Sequence, residues 1–256
     1  MAQAPYENVY LQWLIESAPR RSDGRILIAR GRDGSVRGVA HDAPNIALAG
    51  DEAAIDAFAH AFTRRVMLPR MIVAPRPLLE RFWKRVHGKL PAPWAIRPSQ
   101  PVYGLEPGWL HADGGDLAGV RRATLVEADE IVAHAARMAA GELGGDAEKI
   151  DAGYRARLEA NIAAGCFWTY RVEDRLVFQC YVGPTTAATA QLQGIWTPPE
   201  ARGYGHATRG LDAVCRALLA EHRTVSLYVN DFNRVAIALY ERLGFRRVGE
   251  FASVIF

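Results

Sequence analysis

Cysteine is scarce in this chain: Cys166, Cys180 and Cys215 are the only three in 256 residues. They are odd in number, far apart and never spaced as C-x-x-C. That pattern excludes a disulfide framework and a cysteine-based zinc site, and it fits buried free thiols in a reducing compartment. Long hydrophobic runs are missing as well. No stretch approaches the roughly 20 apolar residues that a bilayer span needs, and no basic segment followed by an apolar run opens the chain. A cytoplasmic, soluble protein with no membrane partner is expected. A dominant charge is also lacking, since 31 Lys+Arg face 28 Asp+Glu. Residues 1–110 carry a net +5 and residues 111–256 a net −2. The basic excess is scattered over positions such as Arg20, Arg21, Arg64, Arg65, Arg81, Lys84 and Arg85 and is not interleaved with aromatics. A solvated face fits this better than a nucleic-acid groove.

The usual nucleotide motifs are absent too. No Gly-Lys-Ser/Thr occurs, and the pattern G-x-G-x-x-G is incomplete. What is present is a strand-like run, Gln191 to Trp196, followed by a turn carrying Arg202, Gly203 and Gly205 and by a helical pattern from His206. A helix start of this kind points unpaired backbone N–H groups outward, and Gly203 and Gly205 leave the amides of residues 203–207 open to an anion.

At this length, with half the residues apolar, two cores are expected. The N-terminal half reads as helix (6–17), hairpin strands (25–29 and 36–40) around Arg-Asp-Gly-Ser, strand (46–49), helix (52–65), strand (70–73), helix (77–86) and an extended segment (92–105). The C-terminal half repeats that order. It has helices at 129–140 and 152–163, hairpin strands at 166–172 and 175–182, a strand at 190–196, a helix at 206–222, a strand at 224–229, a helix at 234–243 and a last strand at 246–255. Matching order without matching letters suggests a duplicated fold. Pro107, Gly108, Gly114, Gly115 and Gly119 make the join at 107–119 read as a linker. In the first half, Asp51 and Glu52 stand at the corresponding helix start, where they would satisfy the N-terminus themselves and repel a phosphate.

Arg202-x-x-Gly205-x-Ala207 resembles the Q/R-x-x-G-x-G/A pyrophosphate motif of the GNAT acyltransferase superfamily. Asn233, Ala236, Tyr240, Gly244 and Phe245 fall where that superfamily's second signature puts them, and the resemblance covers about Val120 to Phe256. The strings Gln191–Trp196 and Ser226–Asn233 are also similar to a two-domain subgroup whose N-terminal part is a domain of unknown function. The resemblance implies an α/β fold with mixed sheets, in tandem GNAT-like domains: a degenerate one at 1–106 that binds no cofactor and a complete one at 120–256 that binds acetyl-coenzyme A. The implied cofactor residues are Gly194, Ile195, Trp196 and Thr197, then Arg202, Gly203, Tyr204, Gly205, His206 and Ala207, with Asn233 and Tyr240.

For Gly194 within a strand, a pantetheine-pairing bulge and a packing glycine stand side by side. Asn233 suits either a helix cap or a cofactor contact. The Tyr240 hydroxyl is the implied acid for the leaving thiolate, with a core tyrosine as the alternative. Many members carry a carboxylate on the strand before the phosphate turn, whereas this chain has Gln191 and Gln193. Glu142, expected in the loop after the helix ending near Ala140, is then the first candidate base, and Asp231 the second. Trp168, Tyr170 and Gln193 are candidates to wall an acceptor pocket. The implied function is transfer of an acetyl group to a primary amine of a small molecule or peptide. A non-catalytic coenzyme A sensor is the alternative, and acyl transfer on an RNA-linked substrate is a third reading. The sequence is silent on oligomeric state.

Overall fold

The structure is a computed structural model that describes residues 5–17, 24–64, 68–111, 118–143 and 152–256. Arg20, Arg21, Arg65, Gly114, Gly115 and the side chain of Glu142 lie outside the described residues. The chain divides into two compact units. The first comprises Met1–Gly104, Leu227–Ile237 and Arg246–Phe256, and the second Leu105–Ser226 and Ala238–Phe245. A tandem arrangement of two GNAT-like domains with the join at 107–119 remains a proposal. The spatial division differs from it in giving the last strand to the first unit.

In the first unit, α1 (Pro5–Ser17) precedes β1 (Arg25–Arg30), β2 (Val36–Asp42), β3 (Asn45–Gly50), α2 (Glu52–Phe62), β4 (Met71–Pro75), α3 (Arg76–Val86) and β5 (Ala95–Leu105). The Asp-Gly turn forms as the sequence predicts: Gly34 takes φ +81°, and Asp33 accepts from the Ser35 N–H and hydroxyl. The strand order is β1-β2-β3-β4-β11-β5, where β11 is Arg246–Ile255. Thus β11 lies antiparallel to both β4 (Val254↔Ile72) and β5 (Val254↔Ile96). The sequence pattern fixes where a strand begins and ends but not which edge it joins. Ala252 and Val254 enter the same core as Ile46, Leu48, Ile55, Phe58, Ile72 and Phe82, beneath α2 and α3. Leu11 and Leu14 of α1 cluster separately with Ala47. Helix α2 ends at Phe62, before the expected Arg65.

In the second unit, β6 (Val120–Arg122), α4 (Ala128–Leu143), α5 (Ala152–Ala163), β7 (Phe167–Val172), β8 (Arg175–Thr185), β9 (Thr189–Trp196), α6 (His206–Glu221) and the start of β10 (Thr224–Tyr228) follow, with α7 (Arg234–Arg242) ending there. The strand order is β10-β9-β8-β7-β6. Glu173 and Asp174 both take left-handed φ (47° and 62°), so a two-residue turn whose twist suits a hairpin joins β7 to β8. Helices α4 and α5 bury Ile131, Val132, Leu158 and Ile162 against Phe167 and Leu176. Helix α6 lies close over β8 because Gly210 has no side chain: a Cβ there would sit 2.4 Å from the Phe178 ring. Helix α4 runs to Leu143, so Glu142 stands in its last turn and not in the loop expected after Ala140.

Candidate functional site

The parallel pair β9 and β10 sets the frame. Thr224–Ser226 are in register with Thr189–Gln191, and β9 then continues to Trp196 without a further partner on that edge among the described residues. Opposite β8, Gln179 faces Trp196 and Tyr181 faces Gln193, so Gly194 and Ile195 bulge against Cys180. Gly194 takes φ +55°, a conformation L side chains rarely adopt. Strand β9 is thus bulged at Gly194.

Beyond β9 the chain turns into α6. Arg202 is pinned rather than free: its Nε donates to the Thr197 carbonyl at 3.0 Å, and its guanidinium lies 4.9 Å from the Trp196 ring centroid. Gly203 (φ +86°) and Gly205 (φ +78°) are both left-handed, yet a Cβ built on either meets nothing within 4 Å. Backbone conformation requires glycine there and packing does not, so the space above the turn is open. Gly205 caps α6 without any side-chain hydrogen bond, and no acidic residue stands in the first turn. The helix dipole at that end faces outward uncompensated.

Arg209 adds a guanidinium at this positive end, with its Nη1 donating to the Tyr170 hydroxyl at 2.8 Å. The Tyr170 ring meets His206 edge-on at 5.7 Å, and Tyr204 lies 6.0 Å from His206 on the exposed side. Burial, and then Arg209, hold the His206 pKa below its ordinary value. Buried polar atoms without a partner cluster nearby in sequence: Trp196 Nε1, Thr197 Oγ1 and His206 Nδ1. A helix start with open glycines, uncapped backbone N–H groups and a guanidinium in its first turn is a poor arrangement for a folded protein alone and a good one for an anion. The residues thus fit a pyrophosphate.

Helix α4 flanks this turn. Arg137 makes a bidentate pair with Glu200, both contacts 2.9 Å, and these bonds hold the Glu200 carboxyl down to about 2. His134 of α4 is 93% buried with Nδ1 unpartnered, and burial lowers its pKa. It lines a cleft of about 430 Å³ with Glu200, Tyr204 and His206. Arg137, His134 and Arg209 escape the sequence motifs. A basic residue in a first helical turn without an acid is the one signal that reaches Arg209 from sequence.

The remaining candidates lie as follows. Tyr240 is buried, with its ring 5.9 Å from Phe245. The Oδ1 of Asn233 accepts from the Ala236 N–H at 3.2 Å, which is the helix-capping role. Asp231 donates its backbone N–H to Ser99. Gln193 Nε2 donates to Gln191 Oε1 at 3.1 Å, which ties the two side chains together on the strand. Tyr170 is engaged at the α6 start rather than free to wall a pocket, while Trp168 lies under Arg122, whose guanidinium is 5.0 Å from the ring centroid. Ile195 and Ala207 are half-buried.

Residues 138–245 match the sequence model of the Acetyltransferase (GNAT) family. No curated protein matches the chain. Among solved structures, a protein from Drosophila superposes with a TM-score of 0.69 at 11% identity, covering 100% of this chain and 92% of its own. A GCN5-related N-acetyltransferase from Kribbella flavida gives 0.60 at 15%, covering 97% and 93%. A tandem GNAT protein from the clavulanic acid biosynthesis pathway gives 0.53 at 19%, covering 98% and 88%. At these identities the likeness speaks for the fold alone. Residues 138–245, less than half of the chain, thus carry the sequence pattern of the Acetyltransferase (GNAT) family. No helix among the described residues is long and apolar enough to cross a membrane.

Proposed function

We propose that the C-terminal part of the chain transfers an acetyl group from acetyl-coenzyme A to a primary amine of a small molecule or peptide. The observation that carries this reading is the bare start of α6: glycine-capped, left-handed at Gly203 and Gly205, free of acid and flanked by Arg209. Bound there, acetyl-coenzyme A supplies an acyl thioester whose departing group is a thiolate. The amides of 203–207 and the helix dipole would hold the pyrophosphate, the edge of β9 from Gly194 to Trp196 that pairs with no strand among the described residues would hydrogen-bond the pantetheine arm, and Arg202 ties the turn to the Thr197 carbonyl.

Tyr240 holds the proton that the thiolate takes, and the amine must lose one before it attacks. A lysine-like amine of pKa near 10.4 costs about 4 to 5 kcal/mol to neutralise at neutral pH, so a base or a water path is required. Glu142, in the last turn of α4, is the first candidate and Asp231 the second. The amides of Gln191 and Gln193, bonded one to the other on this strand, favour a second reading, a coenzyme A sensor without turnover, because neither can take a proton.

Tyr240→Phe separates the two readings. It keeps the ring against Phe245 while removing the hydroxyl. In the enzyme, coenzyme A affinity stays and kcat falls by roughly 100-fold or more, with KM little changed. The measurement is thiol release from acetyl-coenzyme A against an amine library. A wild-type protein that binds coenzyme A yet releases no thiol with any amine leaves the sensor standing.

A further inference from the structure

The first unit holds a cleft of about 630 Å³ that the acyl-transfer reading does not use, lined by Glu7, Pro75, Arg76, Glu80, Arg247 and Glu250. Three carboxylates face two guanidiniums there, and both guanidiniums are taken. Arg76 binds Glu80 at 2.8 Å and Glu250 at 3.5 Å, and Arg247 binds Glu250 at 3.3 Å. The Ser99 hydroxyl donates to Glu250 as well. Glu7 is left as the carboxylate with no ion-pair partner among the described residues. Among the described residues the lining of the cleft therefore carries one carboxylate more than its guanidiniums pair, and that carboxylate is half-buried.

The surroundings of Glu7 are built around its carboxylate. Strand β11 breaks register with β5 after Arg247, so that Val248 bulges and Gly249 comes opposite Val102. Gly249 needs no unusual φ, and its lack of a side chain serves a close approach instead: a Cβ there would lie 2.1 Å from Glu7 Oε1. The carboxylate so admitted accepts the backbone N–H of Glu250, and burial pushes its pKa above the ordinary value. A bulge, a glycine opening and a half-buried carboxylate with no cation partner among the described residues converge on one point. Pro75 and Pro77 supply apolar walls on the same cleft.

We propose that this cleft binds a primary ammonium carried on an alkyl chain, with the Glu7 carboxylate as its ion-pair partner and the prolines against the methylenes. A carboxylate that lost water on burial recovers the lost solvation from an N–H donor bearing positive charge. The site is separate from the acyl-transfer reading and stands whether or not that reading does. Its purely structural alternative is that Glu7 only satisfies the backbone N–H of Glu250.

The full chain is titrated with n-butylammonium at about pH 8, where the amine is charged, with n-butanol as the uncharged control; the backbone amide of Glu250 is followed by NMR. The expected result is a saturable shift of that amide with the amine, weakened by salt and absent with butanol. Glu7→Gln keeps a carbonyl acceptor for the Glu250 N–H and so keeps the fold, and it should lower amine affinity about tenfold or more. Coenzyme A affinity should be unchanged in that variant, which keeps failure here distinct from failure of the acyl-transfer assignment. No saturable shift in the wild type, equal response to butanol, or equal amine affinity in Glu7→Gln overturns the proposal. Salt-insensitive amine binding by the wild type overturns it without any variant.

Discussion

Two helices begin after a β-strand in the same place of the two repeated element orders, and they begin in opposite ways. Helix α2 starts behind Asp51, whose Oδ1 accepts the Ala54 N–H at 2.9 Å and whose Oδ2 pairs with Arg37 at 2.5 Å. Glu52 stands in its first turn and pairs with Arg81. Helix α6 starts behind Gly205, with no capping side chain, no first-turn acid and Arg209 nearby. The first helix closes its own anion site with carboxylates, and the second leaves the site for something else to fill. Local stability and ligand affinity compete for the same few N–H groups, and a two-residue difference decides which wins.

The largest effect should come from closing the open helix. Gly205→Asp puts a carboxylate among the exposed amides and forces a side chain into a φ of +78°. Coenzyme A affinity should fall by roughly 100-fold or more, read by calorimetry. Undiminished binding would sink the assignment of this turn.

A smaller loss is expected at Arg209. Arg209→Ala removes a guanidinium from the positive end of α6 and releases the Tyr170 hydroxyl. Coenzyme A should bind about tenfold more weakly, and its affinity should depend less on salt than in the wild type. If salt dependence is unchanged while affinity drops, Arg209 acts by holding Tyr170 rather than by facing phosphate.

Much of this contrast can be read from the sequence. Asp51-Glu52 and Arg202-x-x-Gly205 are local strings, and capping chemistry is local. The strand and helix limits follow for the same reason, as with α5 and β11, whose ends match the apolar patterns. Three features are not local. The partner edge of β11 depends on which core accepts Ala252 and Val254, a choice the alternation of a strand does not encode. The Arg137–Glu200 clamp joins residues 63 positions apart, and either one alone looks like a solvated charge. Glu7 acquires its meaning only when Gly249 arrives beside it from the far end of the chain.

The smallest effect tests the closed helix. Asp51 has its pKa held below the ordinary carboxylate value, first by the Ala54 N–H and also by Arg37. A group whose pKa is lower folded than unfolded adds stability above its unfolded pKa, near 3.9, and that stability is lost as pH falls through the folded value. Asp51→Ala should therefore lower Tm by about 2–4 °C at neutral pH, with the gap narrowing as the medium is taken below about pH 4. Asp51→Asn keeps a cap acceptor without the charge and should fall between the two. Coenzyme A affinity should be untouched in both variants, since the Asp51 carboxylate and Glu52 already stand at this helix start. A Tm gap that stays constant through the acid range would mean that the carboxylate's charge does not cap α2. The contrast with α6 would then rest on Gly203 and Gly205 alone.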